Sequence, residues 1–268
     1  MRAAPHSGAG AGRAAQGSSF DAAAVAQMEL MVEDFGRMYQ ERNEALREVS
    51  RAHHEALLRL SLAADLRDDD TGTHILRIGF MAEALALLLG EPAAYAQMLR
   101  SAAPMHDIGK IGVSDRVLKK AGAYDAGERI EMNQHPAIGA KILGRSRIPL
   151  FQLAAEVALT HHERWDGAGY PAGLAGAAIP RSGRIVAVVD FFDALTMDRC
   201  YRPALADDVA LTMLGEQRGR AFDPEIVDCF LANATELMTL RDCINQQPPS
   251  FESLIDGDCP RLLWACKR

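Results

Sequence analysis

Apolar residues recur along the first part of the chain with the period of a helix seam. Met28, Val32, Phe35, Tyr39, Leu46, Val49, Ala56 and Leu60 fall at spacings of three and four, with Arg42 and His53 filling the gaps. That rhythm is the stripe of a coiled coil, not the every-second-residue alternation of a strand. It predicts a long helix starting at Phe20, with Asp21 helping at its start. A helix preceding the domain, with Arg42 and His53 as polar interruptions of a seam, favours a parallel homodimer. The plainer alternative is a lone amphipathic helix folded back on its own domain.

Downstream, helical periodicity predicts a helix over 72–89, stopped by Gly90, and another over 93–104 after Pro92, a favoured first-turn residue. Further helices are expected near 126–134, 137–144, 148–162, 181–197, 206–218 and 223–239, with Pro136 marking a break or first turn. Residues 111–124 read as a loop with one turn of structure. Residues 163–180 hold four Gly and two Pro and read as an irregular loop. From Asp242 the tail is expected to lie extended on the surface. With no repeat and no sheet pattern, the fold class reads as all-α. The expected organisation is a disordered leader at 1–18, an N-terminal helix at 19–61, a helical domain at 62–240 and a tail at 241–268.

Composition narrows the picture. With 268 residues, a full core can form beside one extension. A net charge of −7 argues against general nucleic-acid binding. The cysteines at 200, 229, 243, 259 and 266 lack C-x-x-C spacing, so reduced thiols in a cytoplasmic protein are expected. The windows 75–90 and 185–195 are broken by charges and do not read as membrane spans. The opening MRAAPHSGAGAGRAAQGSS has no apolar core of a signal peptide.

The candidate chemistry lies in histidines and aspartates set in apolar segments. Asp70 and His74 are four apart and share one side of a helix start, although Asp70 could equally be a cap. His106 and Asp107 are adjacent and diverge by about 100° on a regular helix. Both can serve one cluster if the helix ends there and Gly109 frees the backbone; the alternative is a simple buried His–Asp hydrogen bond. His161-His162 ends a helix, where one imidazole could serve the dipole but two are poorly explained. His135 and Asp190 stand alone in apolar company, and a lone buried carboxylate is costly unless paired. Asp193 ranks behind Asp190 as its structural echo. So many imidazoles and carboxylates point to a shared cation site.

The motifs DTGTH (70–74), HDIGK (106–110), the His135 segment, HHERWDGAGYP (161–171) and VVDFFDALTMDRCYR (188–202) occur in this order. Together they resemble the HD-GYP branch of the HD metal-dependent phosphohydrolases, over 62–231. The resemblance implies an HD-type helical bundle behind the long N-terminal helix. It implies one cation held by His74, His106, Asp107 and Asp190, and a second held by bridging Asp107 with His135, His161 and His162. Ligation by nitrogen and oxygen without sulfur suits Fe or Mn, with Zn, Ni or Co as alternatives. Two cations ~3.5–4 Å apart acidify a shared water and polarise a phosphodiester.

By the same resemblance Lys110 stabilises charge at a phosphate oxygen, though it could be a solvated loop lysine. Arg199 and Arg202 take phosphate and guanine, though they could merely complement a helix end, and Tyr170 walls the pocket. Departures are Asp70 where the family often has Glu, which puts a third metal in doubt, Cys200 in place of the Pro of R-P-Y-R, and Ser114 and Ala121 in place of loop prolines. The implied function is hydrolysis of the bacterial second messenger cyclic di-GMP to linear pGpG, with GMP as a further product. Implied partners are that dinucleotide, a second copy through the N-terminal helix and a signalling protein, with neither nucleic acid nor membrane insertion. Alternatives are a metal-loaded cyclic di-GMP receptor and a phosphohydrolase of another nucleotide.

Overall fold

The computed structural model describes residues 22–67, 72–144, 146–198 and 203–256. Asp70, Arg199, Cys200 and Arg202 lie outside the described residues, as does Asp21. The described residues are all-α; beyond helices they show one isolated bridge, between Arg218 and Phe222. The chain divides into two compact units, Met1–Ser50 and Arg51–Arg268.

Helix α1 (Ala22–Arg67) supplies the described part of the first unit and opens the second. In the first unit its apolar stripe is exposed: Met28, Val32, Phe35, Tyr39, Leu46 and Val49 all face solvent in the single chain. In the second unit α1 buries a different face, formed by His54, Leu58, Ser61, Ala64 and Asp65, while Leu60 of the stripe points outward. His54 Nε2 hydrogen-bonds the Ser101 carbonyl at 3.1 Å, which satisfies a buried polar group.

The second unit is built around two helices that are apolar on nearly every side, α2 (Thr73–Leu88) and α8 (Arg181–Thr196). A helix apolar all round belongs in the middle of a fold. Between them in sequence come α3 (Ala93–Ala102), α4 (Asp115–Leu118), α5 (Ala126–Met132), α6 (His135–Leu143) and α7 (Pro149–Thr160). After α8 follow α9 (Asp207–Glu216), α10 (Pro224–Ala232), α11 (Ala234–Gln246) and α12 (Glu252–Asp256). Helix α2 packs on α3, α8 and α11, and α7 packs on α3, α6 and α8. Phe80, Phe192 and Phe230 are fully buried in the common core, each contributing about 1.5–3 kcal/mol by leaving water.

Two expectations change. The helix expected over 223–239 is two helices, because Asn233 leaves helical geometry and its side-chain amide donates to the Cys229 carbonyl at 2.8 Å. An amide side chain that competes for backbone partners favours such a break. The tail does not run extended from Asp242: α11 continues to Gln246, and α12 buries Leu254. The Leu254 carbonyl accepts from Ser101 Oγ at 2.7 Å and from Arg100 Nε at 3.3 Å. Between α3 and α6, Val113, Val117, Leu118 and Met132 form a small satellite core with Tyr124. Asp125 and Glu128 make a reciprocal capping box at the start of α5.

Candidate metal centre

Each candidate imidazole is delivered by the end of a helix. His74 sits in the first turn of α2, which starts after Gly72 at φ 73°, a left-handed geometry suited to glycine. Helix α3 gives way to a tight turn over Ala103–Met105, then His106-Asp107, then a second tight turn over Ile108–Gly112. This change of winding aims His106 and Asp107 into one cluster. Gly109 does not act through backbone freedom, since it is not among the glycines at positive φ. It acts through close approach: a Cβ there would stand 1.9 Å from the His135 carbonyl oxygen and 2.5 Å from the Gly139 nitrogen. His135 opens α6, and His161-His162 directly follow α7.

Seven of the expected residues converge. His74, His106 and Asp190 bring ligand atoms within 4.8 Å of one another, and so do Asp107, His135, His161 and His162. Asp107 faces both groups. Its Oδ1 lies 3.1 Å from His135 Nε2 and 3.5 Å from His161 Nε2, while Oδ2 lies 3.3 Å from His106 Nε2. Asp190 Oδ1 is 3.7 Å from both His74 Nε2 and His106 Nε2.

The far nitrogens are already committed. His74 Nδ1 meets Asp193 Oδ2 at 2.7 Å, His106 Nδ1 donates to the Ala103 carbonyl at 3.0 Å, and His135 Nδ1 to Met132 at 2.8 Å. His161 Nδ1 donates to the carbonyls of Ala158 (3.0 Å) and Val157 (3.2 Å). Fixing Nδ1 in this way leaves Nε2 as the ligand atom.

Electrostatics differ across the cluster. Burial alone would lower the His74 pKa, but Asp193, aided by Asp65 and Asp190, carries it to about 9. His106 is likewise raised against burial, by Asp107 and Asp190. Burial lowers His161, and it pushes His162 well down together with the neighbouring imidazoles. Burial would raise Asp107, yet Lys110 and His106 hold it well below the usual carboxylate range. Asp193 also stays far below that range despite complete burial, because His74 and Arg77 face it.

The donor set fits divalent transition ions. It is all imidazole nitrogen and carboxylate oxygen, and buried His106 Nε2 and Asp107 Oδ1 have no hydrogen-bond partner. Buried polar atoms left in that condition call for an ion.

Around this floor stands a rim. Lys110 Nζ lies 2.8 Å from Asp107 Oδ2. Tyr170 stacks on His162 with ring centroids 4.8 Å apart, and burial raises its phenol pKa. The Tyr170 loop is folded by Glu163, whose buried carboxylate accepts from the amides of Ala172 (2.7 Å) and Leu174 (2.9 Å). Sequence reasoning missed Glu163, and it missed Arg77, whose guanidinium grips Asp193 at 2.5 and 2.9 Å. The sequence presents Asp193 only as an echo of Asp190; the signal it does carry is Arg77, a charge within the apolar run 75–90 that needs a partner.

Comparison with known proteins agrees with this geometry. A cyclic di-GMP phosphodiesterase of Thermotoga maritima is 43% identical over 183 residues, covering 68% of this chain and 50% of its own length. A 3'3'-cGAMP-specific phosphodiesterase 2 of Vibrio cholerae is 41% identical over 196 residues, covering 73% and 37% respectively. The chain therefore spans half or less of the length of these curated relatives. A crystal structure of a cyclic GMP-AMP specific phosphodiesterase of Vibrio cholerae superposes with TM-score 0.55 at 19% identity, over 76% of this chain and 53% of that one, which speaks to the fold. The sequence profile of the HD domain matches residues 38–226. That span takes in every member of both ligand groups, and the chain belongs to the HD domain family, as its HD-GYP motifs imply.

Proposed function

We propose that the chain is a metal-dependent phosphodiesterase that hydrolyses cyclic di-GMP to linear pGpG in the cytoplasm. The observation that carries this reading is Asp107, with one carboxylate oxygen facing each group of imidazoles. His74, His106 and Asp190 would hold one divalent ion, His135, His161 and His162 a second, with Asp107 shared; Fe or Mn fits these donors best. Such a pair, when bound, supplies Lewis acidity toward the phosphodiester and an acidified water. The protein's own part is positional. Lys110 brings an ammonium to the rim, where negative charge grows on a phosphate oxygen. Tyr170 walls the pocket over His162, and Arg199 and Arg202 hold phosphate and guanine. The short Asp70 disfavours a third ion, so pGpG accumulates ahead of GMP.

A second reading, 3'3'-cGAMP as substrate, is favoured by the Vibrio cholerae relative named for it. Chromatography of both cyclic dinucleotides after incubation with Fe- or Mn-loaded protein tests both readings. Cleavage of cyclic di-GMP to pGpG is expected. Cleavage of cGAMP alone moves the assignment, and binding without cleavage in any metal makes the protein a receptor.

The exposed stripe from Met28 to Val49 supports a parallel homodimer, since an apolar patch of this extent signals an interaction surface. Light scattering should give a dimer for the wild type and a monomer for Phe35→Asp. A monomeric wild type overturns the dimer.

A further inference from the structure

Arg67, in the last turn of α1, reaches across to the segment that carries Lys110. Its Nη1 donates to the carbonyls of Lys110 (3.0 Å) and Ile111 (3.2 Å), its Nη2 to that of Val113 (2.8 Å), and its Nε to Asp115 Oδ1 (2.8 Å). The bridge to Asp115 is solvent-exposed and adds little by itself. The three carbonyls are different. Those of Lys110 and Ile111 close the tight turn Ile108–Gly112, whose winding is less stable than an α-helix, and that of Val113 directly follows it; the Lys110 carbonyl also accepts from the Val113 amide at 3.1 Å. One planar fork meets all three, which a lysine ammonium on a flexible stem cannot do with the same geometry. Across the segment, Glu131 Oε1 accepts from the Ser114 amide at 2.9 Å, so the chain after Lys110 is held from two sides.

We propose that Arg67 is a positioning residue for Lys110. It fixes the backbone from which the Lys110 stem departs, and so fixes where the ammonium stands beside Asp107 Oδ2. What Lys110 does in turnover rests on the phosphodiesterase reading; what Arg67 does to Lys110 rests on the contacts alone.

The test compares wild type, Arg67→Ala, Arg67→Lys, Lys110→Ala and Arg67→Ala/Lys110→Ala, each metal-loaded and assayed on cyclic di-GMP. Amide hydrogen exchange over 108–114 is followed in parallel. Arg67→Ala should keep its metal content and KM but lose kcat toward the ~10²-fold that a misplacement of about 1 Å costs. Arg67→Lys should recover little of it. In the Lys110→Ala background the Arg67 substitution should change kcat hardly at all, and exchange should quicken at 110–113 but not in α2 or α8. A wild-type kcat in Arg67→Ala, an equal loss in both backgrounds, or unchanged exchange at 110–113 overturns the proposal. If the wild type cleaves no cyclic dinucleotide, the phosphodiesterase reading falls by itself. The exchange result then decides the Arg67 proposal alone, faster local exchange supporting it and unchanged exchange ending it.

Discussion

His74 leans on a side chain, whereas His135 and His161 lean on the backbone. Behind His74 stands Asp193, itself clamped by Arg77, which also donates from Nη1 to Asn245 Oδ1 at 3.1 Å. Behind His135 and His161 stand only the carbonyls of Met132, Val157 and Ala158 among their Nδ1 partners. In the first group His74 is thus backed by a full carboxylate and raised by it, while His106, backed by the Ala103 carbonyl, is raised by Asp107 and Asp190; in the second, burial lowers His161 and His162. A carboxylate makes a ligand imidazole more basic and orients it, but it can be lost in one substitution. A backbone carbonyl cannot.

The comparison predicts a graded set of outcomes. Asp107 belongs to both groups, so Asp107→Asn should strip the protein of both ions and of turnover, as metal analysis and product chromatography would read. Retention of a full complement would show that Asp107 is no bridge. Asp193→Asn should act on one group alone. Metal affinity there should fall about 10–100-fold, leaving a chain that binds one ion well and one poorly in a competition titration. Thermal unfolding should also drop, since Arg77 loses its buried counter-charge, a loss of about 3–5 kcal/mol. Equal weakening of both sites would erase the distinction between the groups.

Lys110→Ala removes no ligand from either group, although its ammonium stands 2.8 Å from Asp107 Oδ2. Metal content should hold while kcat falls ~10²–10³-fold, with Arg202→Ala instead raising KM. A wild-type rate in Lys110→Ala would reduce it to a loop lysine. The smallest effect is expected at Glu163→Gln, which keeps one acceptor for the two loop amides and costs about 1 kcal/mol. A few-fold rise in KM, with metal binding untouched, would place Glu163 behind the Tyr170 wall and not behind the metals.

Much of this is legible in the amino-acid sequence, for definite physical reasons. Metal ligands in apolar segments stand out because burying such groups without partners is unfavourable, and seven residues found on that basis converge in two groups. The all-α class followed from periodicity, and the α1 stripe is exposed along its expected residues in the first unit. What escaped was whatever depends on a second contact. The face of α1 that buries His54 and Leu58 lies off the stripe, so it could not be seen without its partner at Ser101. The break at Asn233 turns on one side-chain amide. The sequence suggests Gly109 as a source of backbone freedom, but its reason lies in α6, which its own neighbours in sequence do not reveal.

That contact at Gly109 bears on how such domains can be recombined. Residues 113–125 form a connection that is exposed apart from the buried Val113, Val117 and Leu118, with Gly122 at φ 125° in open space, and its length invites a crossover between homologous genes. Yet at Gly109 the turn before it meets α6, beyond α5, backbone to backbone, and at that point no side chain can be repacked to absorb a mismatch. A chimera joined within 113–125 would inherit Gly109 from one parent and the His135 carbonyl from the other. Such hybrids should succeed only when both parents bring the same separation, so the segment from His106 to Leu143 is best exchanged as a single block.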